Sequence, residues 1–462
     1  MRSAFRWNAV LFLPCLLILW GCRASGHPHQ RVMSAYDRGD AVAALSELDR
    51  LAECRGTESD IVSLDRAIIY LLASQPNSAI HELELTRRRL DYHAQIDVGE
   101  QTISALNDDS SVAWSGRNFE RRMIDNLQIL ASLLQSDGES FALSSRGMAG
   151  VHADARDAGL SLEFAGLDTA EAGSGSAPAP FRYSANRMTA WLAATVRSER
   201  IHDAEVTDRM IQQVVVWQPS GAARIDDLQT LGTGAPQNHG TLQVLTLAGR
   251  ISPWRSEPTI PTTAALLVAD RILSATGDHS LPATTSPVLI ARPVQRRYAP
   301  KFLTHVFVAG QPAKPSRILV DLNATAWDSW RVESDRQLAR AVVRRVVKKG
   351  TIYGAKNALN VPKGSGTDML LNVAGMFWES REQADLRQWN LLPAAVEVAQ
   401  MKLPAGSHRV QLRVYAASRD AAGSPSDQLE IPVNIQNGQN TFVVCFRPYN
   451  RLVGVQSSTT SE

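Results

Sequence analysis

Ten histidines, four cysteines and several carboxylate pairs are the side chains from which a reaction centre would be drawn. The histidines, among them His81, His93, His202, His239, His305 and His408, make no HExxH or His-plus-Cys spacing, and the one HxH, His27-Pro28-His29, supplies two ligands at most, so a metal site would have to be completed by folding. Residues 350–356 (GTIYGAK) have the glycines and lysine of a phosphate loop but not its Gly-Lys-Ser/Thr ending, and residues 363–367 (KGSGT) also lack it. Both read as loops. Ser174 stands in a Gly-Ser-Gly-Ser run without the strand and helix that a nucleophile elbow requires. Asp108-Asp109 and Asp226-Asp227 are neighbours in sequence, whereas acid–base partners must be placed by the fold. No catalytic residue, cofactor or metal ligand is assigned, and a hydrolase remains only a lesser alternative.

The cysteines say more. Arg2 and Arg6 form a basic start, Val10 to Trp20 is almost continuously apolar, and the run ends at Leu19-Trp20-Gly21-Cys22. Such a stretch is too short to span a bilayer comfortably and predicts an export signal. A small residue directly before a cysteine, with Leu19 three positions upstream, resembles the lipobox of bacterial lipoproteins, although Trp20 departs from its usual small residue. The resemblance covers the first 22 residues. It implies cleavage after Gly21, diacylglycerol on the Cys22 thiol and N-acylation, which together hold a chain on a membrane. Arg23, where an Asp would signal retention, favours an outer-membrane lipoprotein facing the periplasm. Cys15 leaves with the signal, so Cys54 and Cys445 either pair in an oxidising compartment or stay as buried free thiols.

The elements that would position any site divide at a charge boundary. The formal charge of +2 belongs to Arg2 and Arg6, and the remainder balances 46 Lys+Arg against 46 Asp+Glu. Residues 22–220 hold 19 Arg, no Lys and 28 acids, whereas residues 221–462 hold 27 bases and 18 acids. That polarity argues against a uniformly basic nucleic-acid binder and against an acidic solvating tail. The halves either neutralise each other across an interface or face different partners.

Periodicity predicts an α+β chain. We expect a signal at 1–21, a tether at 22–31, an α-helical tetratricopeptide-like domain at 32–218 with a flexible insertion at 168–180, a β-rich domain at 219–450, and a disordered tail at 451–462. Ala44-Leu45-Ser46-Glu47-Leu48 aligns with Ala79-Ile80-His81-Glu82-Leu83, 35 residues on. A third copy is expected after Ser136-Asp137-Gly138-Glu139, at Ala142-Leu143, with an insertion near Asp97 to Ser111. Met188 to Val216 returns to helix. Stacked hairpins of this kind bury a continuous core and leave a groove suited to peptides. Trp114, Arg117, Asn118, Glu120 and Arg121 are the candidate lining of that groove, or else a structural salt-bridge network.

From about Gly240 the period becomes two. Strands are expected at 242–247, 289–293, 303–308 and 317–322. One hairpin is expected from 395–399 and 409–414 around Leu403 to His408, and another from 429–435 and 441–446 around Asn437-Gly438. The product is a compact antiparallel sheet or sandwich. A helical insertion at 334–385 is expected to hold two helices, 336–349 and 368–383, laid on the sheet. In the first, Arg336, Arg340, Arg344 and Lys348 form an i, i+4 stripe, which is either a solvated basic face or an attraction for anionic lipid, glycan or polymer.

Arg117-Asn118-Phe119-Glu120, the Gly240 to Pro253 strand and turn, the basic helix, and above all the run from Glu382 to Ala394 (EQADLRQWNLLPA) leading into Leu403 to His408 resemble a family of envelope-associated bacterial lipoproteins. Its members carry tetratricopeptide-like helices before a β-rich domain, sometimes encoded near lipoproteins that activate peptidoglycan synthases. The resemblance implies an envelope context and no catalytic residue. The expected function is that of a non-enzymatic scaffold or accessory factor, held on the membrane through Cys22 and docking an envelope protein through its helices. The alternative is a binder of peptidoglycan or another anionic glycan through the basic half. Cys22→Ala is expected to move the protein out of the membrane fraction or block its processing, read by fractionation and gel mobility; unchanged behaviour would defeat the lipid anchor.

Overall fold

The computed structural model describes residues 27–54, 59–104, 113–135, 138–157, 184–200, 210, 236–276, 287–358, 384–417 and 424–459. The chain is mixed α+β. Among the described residues seven helices come first: α1 (His27–Arg38), α2 (Ala41–Cys54), α3 (Ser59–Leu72), α4 (Pro76–Ser104), α5 (Asn118–Gln135), α6 (Ser140–Asp157) and α7 (Asn186–Arg200). Each packs on the next along this series. The starts are locally encoded. Asp40 accepts the Ala43 N–H at 3.0 Å and caps α2, and Pro76 opens α4, where its missing N–H costs nothing. The small-large pairs Ala44/Leu48 and Ala79/Leu83 are all fully buried. The expected third copy differs: Ala142 is exposed and α6 buries Ser144, Met148 and Val151 instead. The expected insertion also differs, because α4 runs unbroken through Asp97 to Ser104. The start of the tether is likewise shorter than expected, since α1 begins at His27. The insertion at 168–180 and the expected continuation of the Met188 helix over 201–209 and 211–216 lie outside the described residues.

The second part has eleven strands among the described residues: β1 (His239–Ala248), β2 (Trp254–Thr259), β3 (Val288–Pro293), β4 (Phe302–Val308), β5 (Lys314–Pro315), β6 (Arg317–Asp321), β7 (Ala395–Pro404), β8 (Gly406–Ala416), β9 (Asp427–Ile435), β10 (Asn440–Arg447) and β11 (Gly454–Ser457). They form a five-stranded sheet in the order β11-β10-β1-β7-β6, a four-stranded sheet in the order β5-β4-β8-β9, and the ribbon β2-β3. β1 and β10 run parallel, and the other pairs are antiparallel.

Neither expected hairpin forms. β7 pairs with β1 and β6 while β8 pairs with β4 and β9, so the Pro404-Ala405-Gly406 turn is a corner that carries the chain from one sheet to the other. The Asn437-Gly438 turn, with Gly438 at φ +72°, does the same between β9 and β10. The result is a sandwich. Its core takes Leu242 and Val244 of β1, Met401 and Leu403 of β7, Val443 and Cys445 of β10, and Val306, Leu412 and Val433 from the four-stranded sheet. The alternate residues Leu245, Leu247, Val396, Val398, Phe442, Val444 and Phe446 face the helices and join their core. The five-stranded sheet is therefore covered on both faces, which explains why β1 is buried almost throughout.

Two further helices belong to this part, α8 (Thr263–Thr276) and α9 (Leu322–Ala358). The sequence reading missed α8 and began the second one too late. Asp321, the last residue of β6, accepts the Ala324 N–H at 2.9 Å, so the strand passes directly into helix. The second expected helix, 368–383, lies outside the described residues. Cys445 is a free, buried thiol, pushed up to about 12 by its burial. The tail from 451 is ordered in part, since β11 completes the sheet.

The two parts are tied at the first helical turn. Gly39 has φ +78°, and a Cβ there would lie 2.6 Å from the Val453 carbonyl oxygen beside β11. Arg250 adds a bidentate ion pair to Asp37, both oxygens at 3.1 Å. Gly39→Ala is expected to cost about 2 kcal/mol or more in urea unfolding, from the left-handed backbone and the clash together; a loss within error would mean that the turn does not touch β11.

Candidate functional site

The polar cluster that opens α5 is the one place where sequence-selected residues converge. Glu120 is fully buried. Its Oε2 accepts the Arg117 backbone N–H at 2.8 Å, the returning half of a capping box, and its Oε1 accepts the Trp389 backbone N–H at 3.0 Å. Arg117 Nη1 donates to the Arg387 carbonyl at 2.8 Å, and the guanidinium lies 3.8 Å from the centre of the Trp254 ring. Arg117 and Glu120, expected to line a groove for a partner, thus hold residues 387 and 389 of the chain itself. Trp114 is buried in the core, Arg121 pairs with Asp91 of α4, and only Asn118 of the five is open to solvent.

A second carboxylate holds the same segment. Asp65 projects from α3 and is fully buried; its Oδ1 accepts the Leu391 N–H at 2.8 Å and its Oδ2 the Asn390 side-chain amide at 3.2 Å. His29 Nδ1 lies 3.3 Å from that amide. Segment 384–389 is neither helix nor strand, so its buried backbone donors need side-chain partners, and two carboxylates supply them. Trp254 N–H donates to Gln388 Oε1 at 3.2 Å and Ile251 N–H to the Leu392 carbonyl at 2.7 Å, which fixes the other side. Trp389, Leu391 and Leu392 are then wholly buried. Burial lifts Asp65 to about 6, against the hydrogen bonds and His29. Burial also raises Glu120, partly offset by Arg117 and the two N–H donors.

A third buried carboxylate lies inside the sandwich. Glu397 of β7 is paired with Arg447 of β10, both with no exposed surface, and Ser316 Oγ donates to Glu397 Oε2 at 2.7 Å. Burial raises Glu397, with Arg447 and Ser316 opposing. Asp321, lifted to about 6 by burial, accepts the Tyr298 and Ala324 N–H groups.

The basic stripe is not one face. Arg336 and Arg340 are exposed, Arg344 is buried, and the Lys348 side chain lies outside the described residues. The cause is helical drift. Four residues advance about 400°, so each step turns the row by about 40°, and by Arg344 it has rotated under the neighbouring elements. Among the described residues no group of three His, Cys, Asp or Glu could hold a metal, and no helix is long and apolar enough to cross a membrane.

Asp65, Asn390, Glu397 and Arg447 were not singled out from the sequence. Asp65 had a signal, an acid beside Arg66 between Leu64 and Ala67-Ile68-Ile69 in the mostly apolar second half of its helix. Glu397 had none, since Val-Glu-Val reads as an alternating strand with one wet face.

Asp65→Ala would leave the buried Leu391 N–H without an acceptor and take one acceptor from the part-buried Asn390 amide, and is expected to cost about 2–4 kcal/mol. A raised native pKa means that the folded state holds a proton the unfolded chain releases, so this carboxylate weakens the fold as pH rises from about 4 to about 6. Urea titrations at pH 5 and 7 should show that loss in the wild type and a smaller one in Asp65→Asn; identical slopes would refute it. No protein family matches the sequence, and neither a curated protein nor a solved structure matches it.

Proposed function

We propose that the protein is a lipid-anchored accessory factor of the bacterial cell envelope, a non-enzymatic scaffold whose tetratricopeptide-like helical stack presents its outer surface to an envelope protein. The observation that carries this reading is the fate of the perturbed carboxylates. Groups with shifted pKa are where acid–base chemistry is first sought, and here Asp65, Glu120, Asp321 and Glu397 are filled by the protein's own N–H, hydroxyl and guanidinium donors. They serve rigidity. Four residues separate Cys22 from α1, a span of at most about 18 Å, so acylation at Cys22 sets the helical stack against the membrane. Arg117 and Glu120 are taken up by residues 387 and 389 of the chain itself, and on this reading docking falls to the outer helical faces, where Val42 of α2 and Tyr92 of α4 are exposed.

Photo-crosslinkers at Val42 and Tyr92, with Leu429 of β9 as the control position, test this in intact cells. Recovery of the same envelope protein from the helical positions and not from Leu429 is the expected result. Equal recovery from all three, or none from the helices, would overturn the reading.

A further inference from the structure

The basic surplus of the C-terminal half is not spread over it. Residues 254–358 contain 16 Lys+Arg and 7 Asp+Glu, whereas the rest of residues 221–462 contains 11 of each. The whole excess of +9 thus falls on one contiguous stretch, which contains β2, α8, β3 and α9 together with β4, β5 and β6 of the two sheets. Residues 254–293 and 322–358 of it hold 11 Lys+Arg against 6 Asp+Glu, and α8, β3 and α9 have an apolar core of their own. Ala265, Ala269 and Leu273 of α8 pack with Val288 and Ile290 of β3 and with Leu338, Val342 and Val343 of α9.

The same piece leaves apolar side chains in water. Ile260 is 69% exposed and Leu267 68%, and Val268 and Val332 are exposed as well. α8 therefore buries Ala265, Ala269 and Leu273 and turns Leu267 and Val268 outward, which a helix on an ordinary wet surface does not need. Thr262 Oγ1 donates to Asp335 Oδ1 at 2.6 Å, which ties the segment that carries Ile260, just before α8, to the α9 turn that follows Val332. From Val332 the exposed ridge continues through Arg336 and Arg340.

We infer that this α8/α9 face docks on the surface of an anionic phospholipid bilayer. Charge complementarity selects the sign of the partner, and the apolar groups select its kind. A glycan or polyanion attracts the arginines but offers Ile260 and Leu267 no apolar phase, whereas a lipid headgroup boundary satisfies both. The inference rests on the envelope reading for the presence of a membrane, and it gives the anchored body a second point of contact.

The test is co-sedimentation of the chain from Arg23 onward, which retains every described residue and carries no acyl group. The probes are phosphatidylcholine vesicles with and without about a third phosphatidylglycerol. Binding to the anionic vesicles that weakens with added salt is expected. Arg336→Gln with Arg340→Gln should lower partitioning by roughly tenfold or more, and Ile260→Ser with Leu267→Ser by about tenfold. Both pairs are surface changes and should melt with the wild type, so a loss is not unfolding. Absence of binding to anionic vesicles, or variants that bind as the wild type does, overturns the proposal. So does retention on purified sacculi that depends on the arginine pair and not on the apolar pair, which would assign the face to a glycan. None of these failures bears on Cys22, whose anchor is decided separately by Cys22→Ala.

Discussion

Two carboxylates buried in a helical stack accept the main-chain N–H groups of one irregular segment, and the architecture is arranged around that contact. A loop inside a protein carries donors that neither helix nor sheet satisfies, and each would cost on the order of 1–3 kcal/mol if left bare. Glu120 takes the Trp389 N–H and Asp65 the Leu391 N–H, two residues apart, so the segment is held from alternate positions. Their charges are tolerable underground because each oxygen has a donor. With the backbone fixed, Trp389, Leu391 and Leu392 insert between the helices and the sheet and set the distance between these layers.

The double burial of the five-stranded sheet follows from the same placement. Helices cover one face and the four-stranded sheet the other, so neighbouring residues of β1, β7 and β10 enter different cores. The two corners make this possible. At Pro404 to Gly406 and at Asn437-Gly438 the chain leaves one sheet and enters the other, and no hydrogen-bonded hairpin spans the gap. The buried Glu397–Arg447 pair sits at the closed centre of that sandwich, where removing either partner would strand the other charge.

Much of the element map was legible beforehand, because periodicity, caps and turn residues are local. β3, β4 and β6 fall where alternation placed them. Partnership was not legible. Pro-Ala-Gly and Asn-Gly encode a reversal of the chain, but a reversal within a sheet and one between sheets use the same chemistry, so both hairpins were misassigned. Arg117 and Glu120 stood out as a polar cluster in helical surroundings, yet their ligand was residues 387 and 389 of the same chain. Segment 382–394 was distinctive by resemblance alone, and nothing in EQADLRQWNLLPA names Asp65 as its acceptor. The stripe of arginines failed for a geometric reason, since a four-residue row slowly rotates around its helix and Arg344 passes out of the exposed sector.

The clamp joins residues 269 and 326 positions apart. In a polypeptide delivered amino end first, α3 and α5 emerge long before the strand of chain that quiets their carboxylates. Until that segment arrives, the early helices hold two acids whose burial is unpaid, and closing so long a loop is slow. The helical half is thus a lock waiting for a late key. Its maturation is tied to completion of the whole polypeptide, and a chain truncated before residue 389 would leave Glu120 and Asp65 without the late main-chain donors that hold them.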